Sequence, residues 1–207
     1  MRVMQISQKL LDDLWDFSDP VGSEERLRAA AEDESDAGCR AELLTQVARA
    51  LGLQGRFEEA DTVLGSLHAH TPAVDVRIAL ELGRVRNSSG RADAAVSMFA
   101  AAARAAAAET LTFLQVDALH MLAIADAERA EDWTAEALGI LDGVSDPRTL
   151  RWSVSLHNNA GWSLLDAGRT DDAIAAFERA KDAAERSGPP EQRQWADEAL
   201  AEARAAV

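Results

Sequence analysis

Apolar residues along this chain recur at three- and four-residue intervals, with charged residues filling the positions between them. Ala60, Leu64 and Leu67 are one such stripe, Ala95, Phe99 and Ala102 a second, and Ala173, Phe177 and Ala180 a third. Spacing of i, i+4, i+7 gathers side chains on one face of an α-helix, whereas a half-buried strand would alternate. Alanine is abundant, tyrosine is absent, prolines number 5, and β-branched residues do not cluster. This balance favours helix over strand along nearly the whole length, so an all-α class is expected.

The stripes belong to a repeat. Three segments superimpose: LLTQVARALGLQGRFEEADTVLGSL, ALELGRVRNSSGRADAAVSMFAAAA and LHNNAGWSLLDAGRTDDAIAAFERA. They share a Gly-Arg turn, at Gly55, Gly90 and Gly168, and each places a small residue twelve positions before an alanine. These pairs are Ala48 with Ala60, Gly83 with Ala95, and Gly161 with Ala173. Two antiparallel helices joined by a short turn approach most closely where neither carries bulk, so the pairs are expected to mark tight crossings. The interval from Gly90 to Gly168 leaves room for one divergent unit, expected to turn at Glu131-Asp132-Trp133 and to end at Gly143 and Pro147. Upstream, SQKLLDDLWDF and SEERLRAAAEDE suggest a degenerate pair around Asp19-Pro20-Val21-Gly22, with Ser23 as an N-cap. Downstream, Ser187-Gly188-Pro189-Pro190 separates a last helix in which Trp195, Ala199, Leu200 and Ala203 line one side and cap the stack. The boundaries are 1–38 for the degenerate pair, 39–188 for repeats at about 40–73, 75–109, 110–146 and 150–188, and 189–207 for the capping helix. Together they read as one continuous domain.

These segments resemble the tetratricopeptide repeat, best in the last copy, over roughly Arg40 to Gly188; Pro72 matches the family's terminal proline. The resemblance implies a right-handed α-solenoid of antiparallel helix pairs, about eleven helices in all, that binds a protein or peptide partner. The family's clamps for a terminal carboxylate use Lys, Asn and Arg on first helices. Asn158 and Asn159 match part of that arrangement, while Glu42, Glu81 and Asp117 oppose it.

Charge narrows the partner. Lys and Arg total 21 against 36 Asp and Glu, a formal charge of −15, which repels phosphate backbones and argues against nucleic acid. No apolar run is long enough to span a bilayer, since Arg104 interrupts the alanine stretch. The lone Cys39 and a start without an apolar leader suggest the cytoplasm. No HExxH, phosphate-cradling loop or CxxC occurs, so no enzyme, cofactor or metal is expected. His68 and His70 supply only two ligands, and His120 and His157, on first helices of neighbouring units, read as structural. The run Glu32 to Asp36 lacks calcium-loop spacing and reads as a solvated helix end.

In a curved stack the first helix of each pair lines the concave wall. That wall is expected to carry Thr45, Arg49, Arg77, Arg84, Asn87, His120, Asn158, Asn159 and Trp162. Guanidinium groups there would suit an acidic or carboxylate-bearing segment, with the asparagines holding its backbone and Trp162 an apolar anchor. Two alternatives stand beside this. The arginines could instead neutralise neighbouring carboxylates. Exposed Trp15, Trp152 or Trp195 could make the chain a homodimer rather than a monomer.

Overall fold

The computed structural model describes residues 6–68 and 71–205, and no strand occurs among them. Their helices are α1 (Gln8–Leu14), α2 (Pro20–Asp33), α3 (Ala37–Leu53), α4 (Phe57–Gly65), α5 (Pro72–Ser88), α6 (Ala92–Ala108), α7 (Thr112–Ala125), α8 (Ala130–Leu141), α9 (Pro147–Leu150), α10 (Trp152–Asp166), α11 (Thr170–Ser187) and α12 (Pro190–Ala205). A 3₁₀ turn at Ala127–Arg129 precedes α8, and the four-residue α9 leads directly into α10. The chain is all-α and built of helix pairs, as its repeat predicts. It forms two compact units, Met1–Leu114 and Gln115–Val207.

The Gly-Arg turns have one shared geometry. Gly55, Gly90 and Gly168 take φ of 75°, 78° and 73°, a left-handed conformation that costs glycine nothing. The following arginine amide then reaches back over the helix end: Arg56 to the Leu51 carbonyl at 3.0 Å, Arg91 to Arg86 at 2.9 Å, and Arg169 to Leu164 at 2.9 Å. This C-cap satisfies last-turn carbonyls and reverses the chain. Thr110 makes the same turn after α6 at φ 55° without glycine, sending the Leu111 amide to the Ala106 carbonyl.

Arginine recurs after the glycine for a second reason. Arg56 forks onto Glu59 at 2.7 Å and extends Nη1 to Glu24 of α2 at 2.6 Å. Arg169 donates Nε to Asp172 at 2.8 Å and Nη1 to Glu131 of α8 at 2.6 Å. Each of these side chains ties its own turn to the second helix of the preceding pair. In the α5/α6 pair the equivalent stitch comes from Arg86, which grips Asp61 of α4.

Inside the pairs, the small residues of the first helix serve the ring of the second. A Cβ on Gly83 would lie 2.5 Å from Phe99 Cε1, and one on Gly161 would lie 2.5 Å from Phe177 Cε1. Phe99 and Phe177 are fully buried, as are Ala95 and Ala173 one turn before them. The glycine is thus a notch for a phenyl ring sixteen residues on, beyond the alanine that the spacing suggests as its partner. The α3/α4 pair holds the smaller Leu64 at the equivalent position, and there the first helix carries Ala48; both lie in the first unit's core.

Three local expectations change. Helix α2 begins at Pro20 with Asp19 as its N-cap, accepting from the Gly22 amide, because proline suits the first helical position. Ser23 lies inside that helix, buried, and exchanges hydrogen bonds with the Asp16 backbone. The divergent unit turns at Asp126–Arg129 rather than at Glu131-Asp132-Trp133, since Asp126 accepts from the Trp133 indole at 3.0 Å and Arg129 stacks 4.1 Å over that ring. In α12 the buried stripe is Ala196, Ala199, Leu200 and Ala203, leaving Trp195 at 59% exposure.

Replacing Gly83 with alanine sets the gain in helix propensity, about 1 kcal/mol, against a clash that the filled core cannot absorb, and a net loss of about 1–2 kcal/mol is expected. Phe99→Leu recreates the Ala48/Leu64 pairing, so the double variant should be more stable than the sum of the two single losses by about 1 kcal/mol in urea denaturation. Strict additivity would mean that the ring does not occupy the notch.

Candidate functional site

In the first unit Thr45 and Arg77 are buried, and Arg49 and Arg84 are engaged by neighbouring side chains. The residues flanking α1 reach α3 at two points, with the Ile6 amide 3.4 Å from Glu42 Oε1 and the Trp15 indole donating to Gln46 at 3.2 Å. Thr45 is fully buried and donates to the Glu42 carbonyl. Arg49 lies over the stacked rings of Trp15 and Phe17, 5.8 and 5.3 Å from their centroids. Arg77, only 5% exposed, donates to Glu42 of α3 at 3.2 Å, and Arg84 donates to Glu81 at 2.5 Å. Burial pushes the Glu42 carboxyl above its usual range while the Arg77 charge draws it back. A buried pair of this kind cannot release one member cheaply, since the other charge would be left without a counter-ion. Asn87 stands half-buried near the end of α5.

The second unit places two of its predicted residues beside open space. A cleft of about 670 Å³ lies between the end of α7, the start of α8 and the second half of α10, and Asn159 and Trp162 line it. Asn159 Nδ2 donates to His120 Nε2 at 2.8 Å, and His120 lies 5.0 Å from the tilted Trp152 ring. Trp162 packs edge-on against Phe177 at 5.0 Å, so the ring that fills the Gly161 notch also sets the angle of the cleft's tryptophan. Ile124, 45% exposed, and Ala160 and Leu164 extend the apolar floor, while Thr134 and Ser163 add hydroxyls. Periodicity did not single out Ile124: it follows a buried run in α7, and its exposure depends on where the 3₁₀ turn takes the chain. Asn158 is half-buried on α10 and does not line this cleft.

A second cleft of about 330 Å³ runs along α8, α10 and α11 and includes His157, Arg169 and Arg179. Burial, with Arg179 and Arg186 nearby, lowers the His157 pKa to about 4. His68 is exposed beyond the end of α4, and His70 lies outside the described residues. The acidic run ends α2 and starts α3, where Asp36 accepts from the Cys39 amide at 2.9 Å. The Cys39 thiol is buried and pushed up to about 11 by that burial and by Asp36. Among the described residues no group of three or more His, Cys, Asp or Glu is placed to hold a metal ion. No described helix is long and apolar enough to cross a membrane. Trp15 and Trp152 are half-buried and engaged as above, which leaves Trp195 as the exposed one of the three proposed dimer contacts.

Residues 154–186, which are α10 and α11, match the tetratricopeptide repeat family model. That helix pair is similar to a tetratricopeptide repeat, and the match covers this part of the second unit alone. The chain's fold is similar to the crystal structure of BtubC (BKLC) from P. vanneervenii, at 19% identity and a TM-score of 0.58, over 95% of this chain and 91% of that one. That likeness concerns the fold alone. No curated protein matches the chain.

The His157 environment predicts a pH effect. Its folded pKa lies below the unfolded value near 6.5, so the unfolded chain binds more protons between about pH 6.5 and 4, and stability falls as pH falls through that window. Discounted for the partial exposure of the ring, the loss from this group is on the order of 1–2 kcal/mol at the acid end. Denaturation of wild type and His157→Gln at pH 7, 5.5 and 4.5 should show the wild type losing more stability on acidification; parallel losses would place a protonated imidazole comfortably at this site.

Proposed function

We propose that this chain is an interaction module that receives a segment of a partner protein in the cleft between α7, α8 and α10. The observation that carries the reading is the contrast between the units. In the first, Arg77 and Arg84 face carboxylates and Thr45 is sealed; in the second, Asn159, Trp162 and Ile124 border a cleft of about 670 Å³. An apolar floor with a few fixed polar groups is the common composition of a recognition site. Trp162 and Ile124 are the anchors, and Asn159, held by His120, and Ser163 offer hydrogen-bonding groups to a peptide backbone.

An acidic ligand is not needed for this role. That preference depended on Arg49, Arg77 and Arg84, and each has internal work: Arg49 against two aromatic rings, Arg77 and Arg84 against Glu42 and Glu81. Neutralisation of neighbouring carboxylates is therefore the role favoured for Arg77 and Arg84.

Ile124→Glu tests the cleft with little risk to the fold, because the side chain is exposed. Peptides selected from a random displayed library against the wild-type chain should lose about tenfold or more in affinity for this variant, as for truncating an interface anchor, and keep it for Asn87→Ala in the first unit. Selected peptides that bind Ile124→Glu as tightly as wild type would move the site elsewhere.

A further inference from the structure

The occupant's chemistry can be read from the rim of that cleft, an inference resting on the interaction-module reading above. Two turns meet at one end of it. The α7/α8 turn and the α10/α11 turn are drawn together by Arg169, which bonds Glu131 across the gap at 2.6 Å and Asp172 in its own turn at 2.8 Å. Residues 126–132 and 166–172 contain seven carboxylates, at Asp126, Glu128, Glu131, Asp132, Asp166, Asp171 and Asp172, against two guanidiniums. Both guanidiniums are already engaged. Arg169 is held as above, and Arg129 lies over Trp133 and 3.6 Å from Asp132. Of the carboxylates, Glu131 and Asp166 line the cleft directly, beside Ile124 and Trp162.

This end of the second unit therefore presents an apolar floor inside a rim whose negative charge exceeds its positive charge by five. An acidic segment entering here would meet that rim and find Arg169 already shared by two carboxylates. A segment with bulky apolar anchors flanked by lysine or arginine meets the opposite situation: its anchors cover Trp162 and Ile124 while its cations approach Asp166 and Glu131. Charge complementarity of this sort steers encounter and rejects like-charged competitors. We infer that the cleft between α7, α8 and α10 selects a basic amphipathic segment of a partner protein, with the carboxylates of the two adjoining turns as the selecting groups.

The probes are two fluorescein-labelled peptides with identical leucine and phenylalanine anchors, one carrying lysine and the other glutamate at every remaining position. Anisotropy titrations against the full chain should give the lysine peptide at least about tenfold higher affinity at low salt, an advantage that shrinks as salt screens the rim. Glu131→Gln with Asp166→Asn should cut that preference several-fold, and Ile124→Glu should weaken the lysine peptide by removing its anchor contact. Equal binding of both peptides, each weakened by Ile124→Glu, would keep the cleft as the site and overturn its basic selectivity. Binding of the lysine peptide that is indifferent to Ile124→Glu would instead mean diffuse attraction to a chain of charge −15, and would overturn both. Binding of neither peptide would also count against both.

Discussion

The phenyl rings of Phe99 and Phe177 occupy the space that side chains on Gly83 and Gly161 would need, and the helix pairs around them are organised by that fit. A ring 2.5 Å from where a Cβ would stand permits close packing of α5 on α6 and of α10 on α11, and no larger residue on the first helix is compatible with it. The pairing of residue sizes follows the same logic in the three pairs that share the Gly-Arg turn: glycine opposite phenylalanine twice, and alanine with leucine once, at Ala48 and Leu64. In the second unit the consequence reaches the surface, because Phe177 also supports Trp162 edge-on and so fixes one wall of the cleft.

Electrostatics adds a second layer of order. A chain with an excess of carboxylates has few cations to spare, and it uses many of them as internal connectors. Arg56, Arg86 and Arg169 each join a helix pair to the one before it, and Arg77 neutralises Glu42 across two first helices in a buried pair. Single exposed ion pairs contribute little, but the buried pair specifies alignment because either partner alone would be a stranded charge. Committing arginine in this way leaves carboxylates dominant at the turns of the second unit that adjoin the cleft.

Local patterns made the architecture legible. Gly-Arg turns, twelve-residue spacing of small residues and i, i+4, i+7 stripes all act within a few turns of helix, so α3 to α6, α10 and α11 could be drawn from them. The divergent turn could not. Asp126 and Trp133 close it by a side-chain hydrogen bond that has no glycine to announce it, and the turn therefore lies ahead of Glu131 rather than at it. First-helix periodicity picks out Asn159 and Trp162, which line the cleft, yet it cannot tell open wall from packed seam. That distinction depends on partners far away in sequence, such as Arg77 with Glu42 and Asn159 with His120. An arginine on a helix face looks the same in the sequence whether it awaits a ligand or already holds a carboxylate.

Ring placement is directly observable in solution. In a nuclear Overhauser spectrum, the Hα protons of Gly83 and Gly161 should show strong cross-peaks to the ring protons of Phe99 and Phe177, with ring-current shifts away from ordinary helical glycine values. Glycine Hα resonances at ordinary positions, without cross-peaks to either ring, would contradict the fit on which the helix pairs and the cleft wall depend.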